Sequence, residues 1–162
     1  MSVTLSPLPA GRLDLIAHLT LPAEQHVFSD PPAAAMRAAT GRRDGHMILQ
    51  GGETVGFFAI DPDYPQAHDF AEAGTIGLRM FSVSGQHQGQ GIATAACKAL
   101  RDYLHQHYPD AAAVYLTVNH RNPGARGCYL RGGFEMTGAD YLGGGAGPQH
   151  IMRLALAPVA AG

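Results

Sequence analysis

The stretch Val83-Ser84-Gly85-Gln86-His87-Gln88-Gly89-Gln90-Gly91-Ile92-Ala93 joins an apolar run, Ile76 to Val83, to a run with helical spacing that begins near Gly91. Gly89 and Gly91 sit at the junction, separated by one residue. Glycine permits a tight turn and lets a bulky ligand approach the backbone N–H groups. A helix that starts there directs its unpaired donors, and the positive end of its dipole, at the same point. Strand, glycine turn and helix start together make an anion site, and the usual anion is a phosphate or pyrophosphate.

Spacing separates the ligand classes that use such a turn. A dinucleotide site follows G-x-G-x-x-G, with an acidic residue about 20 positions on. Here the third glycine position is Thr94, and the strand after the helix ends in Val118-Asn119, which is not acidic. A triphosphate loop requires a lysine after the glycines, and none follows. What fits is Gln88-x-x-Gly91-x-Ala93, with Val83 upstream. That pattern resembles the coenzyme A pyrophosphate loop of the GNAT acyltransferase superfamily, (Arg or Gln)-x-x-Gly-x-(Gly or Ala).

A second stretch carries the same resemblance. Leu116 to Ala125 is followed by Cys128-Tyr129-Leu130-Arg131-Gly132-Gly133-Phe134-Glu135. In the second GNAT signature a strand ends near an asparagine, an alanine follows three residues later, and a short helix closes with Tyr-x-x-x-Gly-Phe. Asn122, Ala125, Tyr129, Gly133 and Phe134 occupy those places. The two signatures fall in the family's order and at its usual separation, and together they cover roughly residues 76 to 156. Within the superfamily, Leu78 to Phe81, the Gln88-to-Gly91 turn and Phe134 to Gly138 look most like the polyamine and diamine N-acetyltransferase branch. That branch often carries a glutamate shortly before its last strand, where this chain has Pro148-Gln149-His150.

Composition is close to that of an ordinary soluble protein. The chain has 162 residues, 46% of them hydrophobic, enough for one domain over residues 1–162 with a proper core. A net charge of −2 gives no footprint for nucleic acid. The start of the chain does not read as a signal peptide, and no apolar run reaches the roughly 18 residues of a membrane span. A cytoplasmic location follows. The two cysteines, Cys97 and Cys128, lack metal-ligand spacing, so free thiols and no metal are expected.

The periodicities predict a strand over Ser2–Leu8, a helix over Gly11–Leu21, and a helix over Pro32–Thr40 capped by Asp30. A hairpin follows, His46–Gln50 and Thr54–Ile60, turning at Gly51-Gly52. Asp61 to Glu72 reads as a polar loop. Thr75–Val83 is the next strand and Ile92–His107 a long helix with apolar residues at core spacing. Ala113–Val118 reads as a strand buried on both faces, and Asn122-Pro123 opens a short helix closed by Gly132-Gly133. Strands starting at Phe134 and covering Ile151–Leu156 follow a glycine loop over Gly143–Pro148. The expectation is an α/β fold: a central mixed sheet of about six or seven strands with helices on both faces, containing a parallel crossover from Thr75 to Val118.

The resemblance implies roles. Backbone groups of Phe81, Ser82 and Val83 would pair with the pantetheine arm. Backbone N–H groups across Gln88, Gly89, Gln90, Gly91, Ile92, Ala93 and Thr94 would hold the pyrophosphate of acetyl-CoA, the acyl donor. The strands ending at Val83 and Val118 would splay to admit the thioester. Asn122 caps its helix and, by the resemblance, bonds cofactor or water. Tyr129 is the catalytic candidate: a tyrosine of pKa about 10 can protonate a thiolate whose conjugate acid lies at about 8.5. An alkyl amine also needs a base or a water chain to take its proton, with Asp69, Glu72 and His120 as candidates. Five acids and no lysine or arginine lie between Gly45 and Leu78, which favours a cationic acceptor. The function that emerges is transfer of an acetyl group to a primary amine of a small molecule, a polyamine among the options. An aminoglycoside, an amino-acid amine or a protein N-terminus remains open as acceptor, and the non-enzymatic alternative is an acyl-CoA-binding sensor. The resemblance also raises the expectation of a homodimer.

Overall fold

The computed structural model describes residues 2–21, 31–144 and 147–156. Seven strands form one sheet: β1 (Val3–Pro7), β2 (Asp44–Gln50), β3 (Glu53–Asp61), β4 (Ile76–Val83), β5 (Ala113–Asn119), β6 (Glu135–Tyr141) and β7 (Gln149–Ala155). Their order is β1-β2-β3-β4-β5-β7-β6. Every neighbouring pair is antiparallel except β4 and β5. The helices are α1 (Pro32–Ala38), the single turn α2 (Tyr64–Ala67), α3 (Ile92–His107) and α4 (Pro123–Arg131).

The sheet is covered on both faces. Ile92, Ala96, Cys97, Leu100 and Leu104 of α3 recur every three or four residues. They pack with Ile48, Val55, Phe58, Ile76, Leu78, Val114 and Leu116. On the opposite face Ile16, Leu19 and Ala33 pack on Met47, Phe57 and Ala59. Alternate residues of β5 serve different clusters, Val114, Leu116 and Val118 one and Tyr115 another, so this strand is buried on both sides as its apolar run predicts.

Three local expectations are corrected. Residues 11–21 form a short 3-10 helix, Leu13–Ile16, rather than an α-helix. The bonds from Leu15, Ala17 and Leu19 reach back three residues, and the buried Ile16 and Leu19 are three apart, the spacing that eclipses on a 3-10 turn. Helix α1 forms as expected, but its N-cap is Pro31, with no side-chain cap; Asp30 lies outside the described residues. The polar loop after β3 contains α2, whose Tyr64 is almost fully buried against Ala71, Tyr115 and Ile151.

A buried polar network ties β2 to the end of α3. His46 Nδ1 lies 2.6 Å from the Tyr103 hydroxyl and Nε2 lies 2.9 Å from that of Tyr108. Tyr108 donates its hydroxyl proton to Asp44 Oδ2 at 2.9 Å, so its oxygen accepts from His46 Nε2–H, and Tyr103 donates to Nδ1. Stacked on Phe58, the ring is neutral, and burial pulls its pKa down to about 4.

Two irregularities position the site. Strands β4 and β5 are paired only at Ile76 with Val114 and Gly77 with Tyr115, after which they separate. Between β3 and β4 the register slips: Phe57 faces Ser82 but Ala59 faces Arg79, so Phe58 stands opposite both Met80 and Phe81. This is a β-bulge, and Met80 takes φ 61°, the only non-glycine residue at positive φ among those described. Such strain at a strand opening is characteristic of functional sites.

Candidate active site

The opening between β4 and β5 has a cavity on each side. The first, about 490 Å3, lies between the end of β4, the glycine turn, the start of α3 and α4. Phe81, Ser82, Val83, Gln88, Gly89, Gly91, Ile92, Ala93, Thr94, Asn122 and Tyr129 all border it. Gln90 does not; it is exposed on the outside of the turn. His87, Gly124, Ala125 and Cys128 complete the wall.

The turn is built from main chain. Gly89 and Gly91 take φ +79° and +77°, and the space where their Cβ atoms would sit is open. Gly91 is the N-cap of α3. The first intrahelical bond runs from Ala95 N–H to its carbonyl, so the N–H groups of Ile92, Ala93 and Thr94 lie in the helix's unpaired first turn. No acidic residue stands in that turn, and no side chain caps it. The Gln88 side chain folds back and donates from Nε2 to the Val83 carbonyl at 3.0 Å, tying the turn to the strand that enters it. Unopposed donors, a 16-residue helix dipole and unobstructed glycines fit a pyrophosphate.

Across the cavity, Asn122 Oδ1 accepts from Ala125 N–H at 3.4 Å and caps α4. Tyr129, on that helix, is buried with its ring edge-on to Phe81 and tilted against Phe134. Burial, and behind it the neighbouring Cys97 and Cys128 thiols, push its hydroxyl well above the usual tyrosine range. Burial likewise pushes up the Cys97 thiol, which leaves it inert as a nucleophile. Cys128 reaches the wall, with Sγ 3.5 Å from Thr94 Oγ1.

The second cavity, about 540 Å3, shares Phe81 and Tyr129 with the first. Its other walls come from α1, α2, β4, β5, β6 and β7, and its ionisable residues include Arg43, Arg79, His68, Tyr64 and Tyr141. Asp61 stands behind it. Its Oδ2 lies 3.0 Å from Arg79 Nε and 3.3 Å from Arg43 Nη1, and its Oδ1 accepts from Asp63 N–H at 2.9 Å. Arg79 also places its guanidinium over the Tyr64 ring, 4.8 Å from the centroid, and Nη2 lies 3.3 Å from His68 Nε2. A guanidinium only donates, so His68 Nε2 is the acceptor and the ring carries its proton on Nδ1. Burial and the Arg79 charge lower the His68 pKa, which keeps the ring neutral. Burial, then Arg79, also lowers the pKa of Arg43, with Asp61 opposing.

None of these residues was legible as a site. Positions 43, 64, 68, 79 and 141 share no spacing, and only the sheet brings them together. The three candidate bases do not border either cavity. Asp69 is exposed. Glu72 Oε1 is taken by Arg153 Nε at 2.9 Å and by the Tyr115 hydroxyl at 3.0 Å. His120 Nε2 lies 3.0 Å from Asp140 Oδ1, and its ring stacks on His150 at 3.8 Å. That His-Asp-His group has the composition of a cation site. Its two rings are nearly parallel, however, so their in-plane lone pairs run side by side, and Arg126 brings a positive charge to within 3.1 Å of His150 Nε2. Of the five acids between Gly45 and Leu78, none borders the second cavity, four are exposed, and Asp61 is paired with two arginines.

Known proteins carry the same architecture. Residues 13–134 match the acetyltransferase (GNAT) family. An uncharacterized N-acetyltransferase of Bacillus subtilis (strain 168), YbbJ, is 25% identical over 144 residues, 87% of this chain and 90% of that protein. Among solved structures, AAC(6')-Ib in complex with paromomycin and acetyl-CoA superposes with a TM-score of 0.73 at 18% identity, covering 96% of this chain and 94% of that one. A spermidine N-acetyltransferase SpeG chimera from Vibrio cholerae and hSSAT gives 0.67 at 17% identity, with 96% of both chains covered. The chain belongs to the GNAT acetyltransferase family, and acetyl-CoA is its acyl donor. The two structures act on different acceptors, so the match sets the fold and the donor and leaves the branch open. Among the described residues, no helix is long and apolar enough to cross a membrane.

Proposed function

We propose that the protein transfers the acetyl group of acetyl-CoA to a primary amine of a small molecule by direct attack, with Tyr129 as general acid. The observation that carries this reading is that Tyr129 borders both cavities at the opening between β4 and β5. The first cavity takes the donor. N–H groups of Gly89 and of Gly91 to Thr94 hold its pyrophosphate, Phe81 to Val83 offer main chain to the pantetheine arm, and Asn122 bonds to donor or water. The second cavity takes the acceptor.

The amine nitrogen forms a bond to the acetyl carbon, the carbon–sulfur bond breaks, and Tyr129 gives its proton to the departing sulfur. The proton lost by the amine leaves through water and restores the tyrosine. His68 does not take it, because its Nε2 lone pair is engaged by Arg79. Burial raises the Tyr129 pKa, which keeps the hydroxyl protonated and able to donate at neutral pH.

A thiol-release assay with acetyl-CoA and a panel of amines tests the reading. Turnover on at least one small amine is expected. Tight coenzyme A binding with no turnover on any amine would instead identify an acyl-CoA sensor.

A further inference from the structure

We infer that Arg43 and Arg79 form an anion subsite, and that the acceptor is a small amine that also carries a carboxylate. This rests on the second cavity being the acceptor side. Two guanidinium groups share one carboxylate, Asp61, whose oxygens are both already engaged. The local balance is therefore one uncompensated positive charge. His68 does not alter it, being the neutral acceptor of an Arg79 N–H. The carboxylates nearby are committed elsewhere, Glu72 to Arg153 and Asp44 to Tyr108. No aspartate or glutamate borders the cavity among the described residues.

The charge is also poorly solvated. The Arg43 side chain is only 15% exposed and that of Arg79 27%. Arg43 Nε is buried without a hydrogen-bond partner. A cation pair this little exposed gains from an incoming anion and opposes a second cation. Arg79 is held on a fixed track by Asp61, the Tyr64 ring and His68, so it meets a ligand already oriented. A polyamine, which brings only positive charge, is the wrong complement. An amino acid places its anion on the arginines while its amine faces the opening at Tyr129.

The test uses the full-length protein with acetyl-CoA and a set of common amino acids. Each is compared with the amine left by removing its carboxylate, and with spermidine and aminoethyl phosphate alongside. Amino acids should exceed their decarboxylated partners at least tenfold in kcat/KM, mostly through KM. In Arg79→Gln and Arg43→Gln that ratio should collapse toward one, with Arg79→Lys partly restoring it; circular dichroism checks the fold. Calorimetric titration with the same pairs asks the question without turnover. Carboxylate-dependent binding that is lost in Arg79→Gln supports the subsite even if no acetyl transfer is seen, an outcome that would instead sink the proposed reaction. Preference for decarboxylated amines or spermidine, or no dependence of binding on the anion, would overturn the subsite while leaving the acetyltransferase intact. A preference for aminoethyl phosphate over every amino acid would also overturn the carboxylate assignment.

Discussion

On one side of Tyr129 the wall is main chain; on the other it is side chain. The donor side rests on the N–H groups of a helix start, two glycines at positive φ and a strand edge, all contributed by one continuous stretch, Phe81 to Thr94. The proposed acceptor side is lined by Arg43, Tyr64, His68, Arg79 and Tyr141, drawn from separate elements and held by Asp61 and ring contacts. The comparison teaches how one fold serves many acceptors. Main-chain recognition of a shared donor depends on local conformation and tolerates change elsewhere, whereas a side-chain pocket can be rebuilt by single substitutions without disturbing it.

The largest break in the comparison is at the residue common to both sides. Tyr129→Phe removes one oxygen and little volume, so acetyl-CoA affinity should hold while the chemical step slows by roughly 10²–10⁴-fold, about 3–5 kcal/mol. Single-turnover rates measure this with product release kept out. Because burial lifts the tyrosine above its ordinary range, the wild-type rate should also stay level through about pH 10, where an ordinary tyrosine would titrate. An early alkaline fall, or a near-wild-type mutant, would make Tyr129 a core residue only.

Next in size is a property of the scaffold that neither side should share. The folded-state pKa of His46 is about 4 against an unfolded 6.5. Between those values the unfolded chain binds a proton that the native protein does not, so stability rises with pH across the window. It is complete above pH 6.5 and is lost as pH falls toward 4, by about 3 kcal/mol in all. Urea unfolding from pH 4 to 7 should show this slope in wild type, and His46→Gln should flatten it.

The donor side alone should fail in Gly91→Val. No protein atom opposes the new side chain, but a β-branched residue at φ +77° is strained by about 1–3 kcal/mol, and it would fill the space through which a phosphate approaches. Acetyl-CoA affinity should fall at least roughly tenfold because the side chain occupies the phosphate's approach, with the circular dichroism spectrum unchanged. Wild-type affinity by calorimetry would remove the turn from the donor site.

The smallest expected effect belongs to the acceptor side. A Cβ at Gly77 would collide with the Tyr64 ring, so Gly77→Ala must displace that ring, on which Arg79 rests. Acceptor KM should rise several-fold while acetyl-CoA affinity stays within about twofold, with overpacking of the buried ring lowering stability by about 1–3 kcal/mol. An equal change in both constants would show that the two sides are not separable.

The sequence by itself determined the parts of this protein that are local. Gln88-x-x-Gly91-x-Ala93 sits at a strand-to-helix junction because glycine spacing and helix periodicity are set by neighbours in the chain. Helix α3 occupies Ile92–His107 as its apolar spacing predicts, and Asn122, Ala125, Tyr129 and Gly133 frame α4 in the same way. The acceptor wall follows no such rule. The acids between Gly45 and Leu78 do not report on that wall, because Arg43 and Arg79 lie just outside the window and pair with its one buried member, Asp61. The bulge at Met80 and the short pairing of β4 with β5 were equally invisible as geometry, since each depends on the register between strands distant in sequence. Backbone conformation answers to the next few residues, so it can be read in order. The electrostatics of a cavity answer to whichever side chains the sheet brings within a few ångströms, and only the tertiary structure decides which those are.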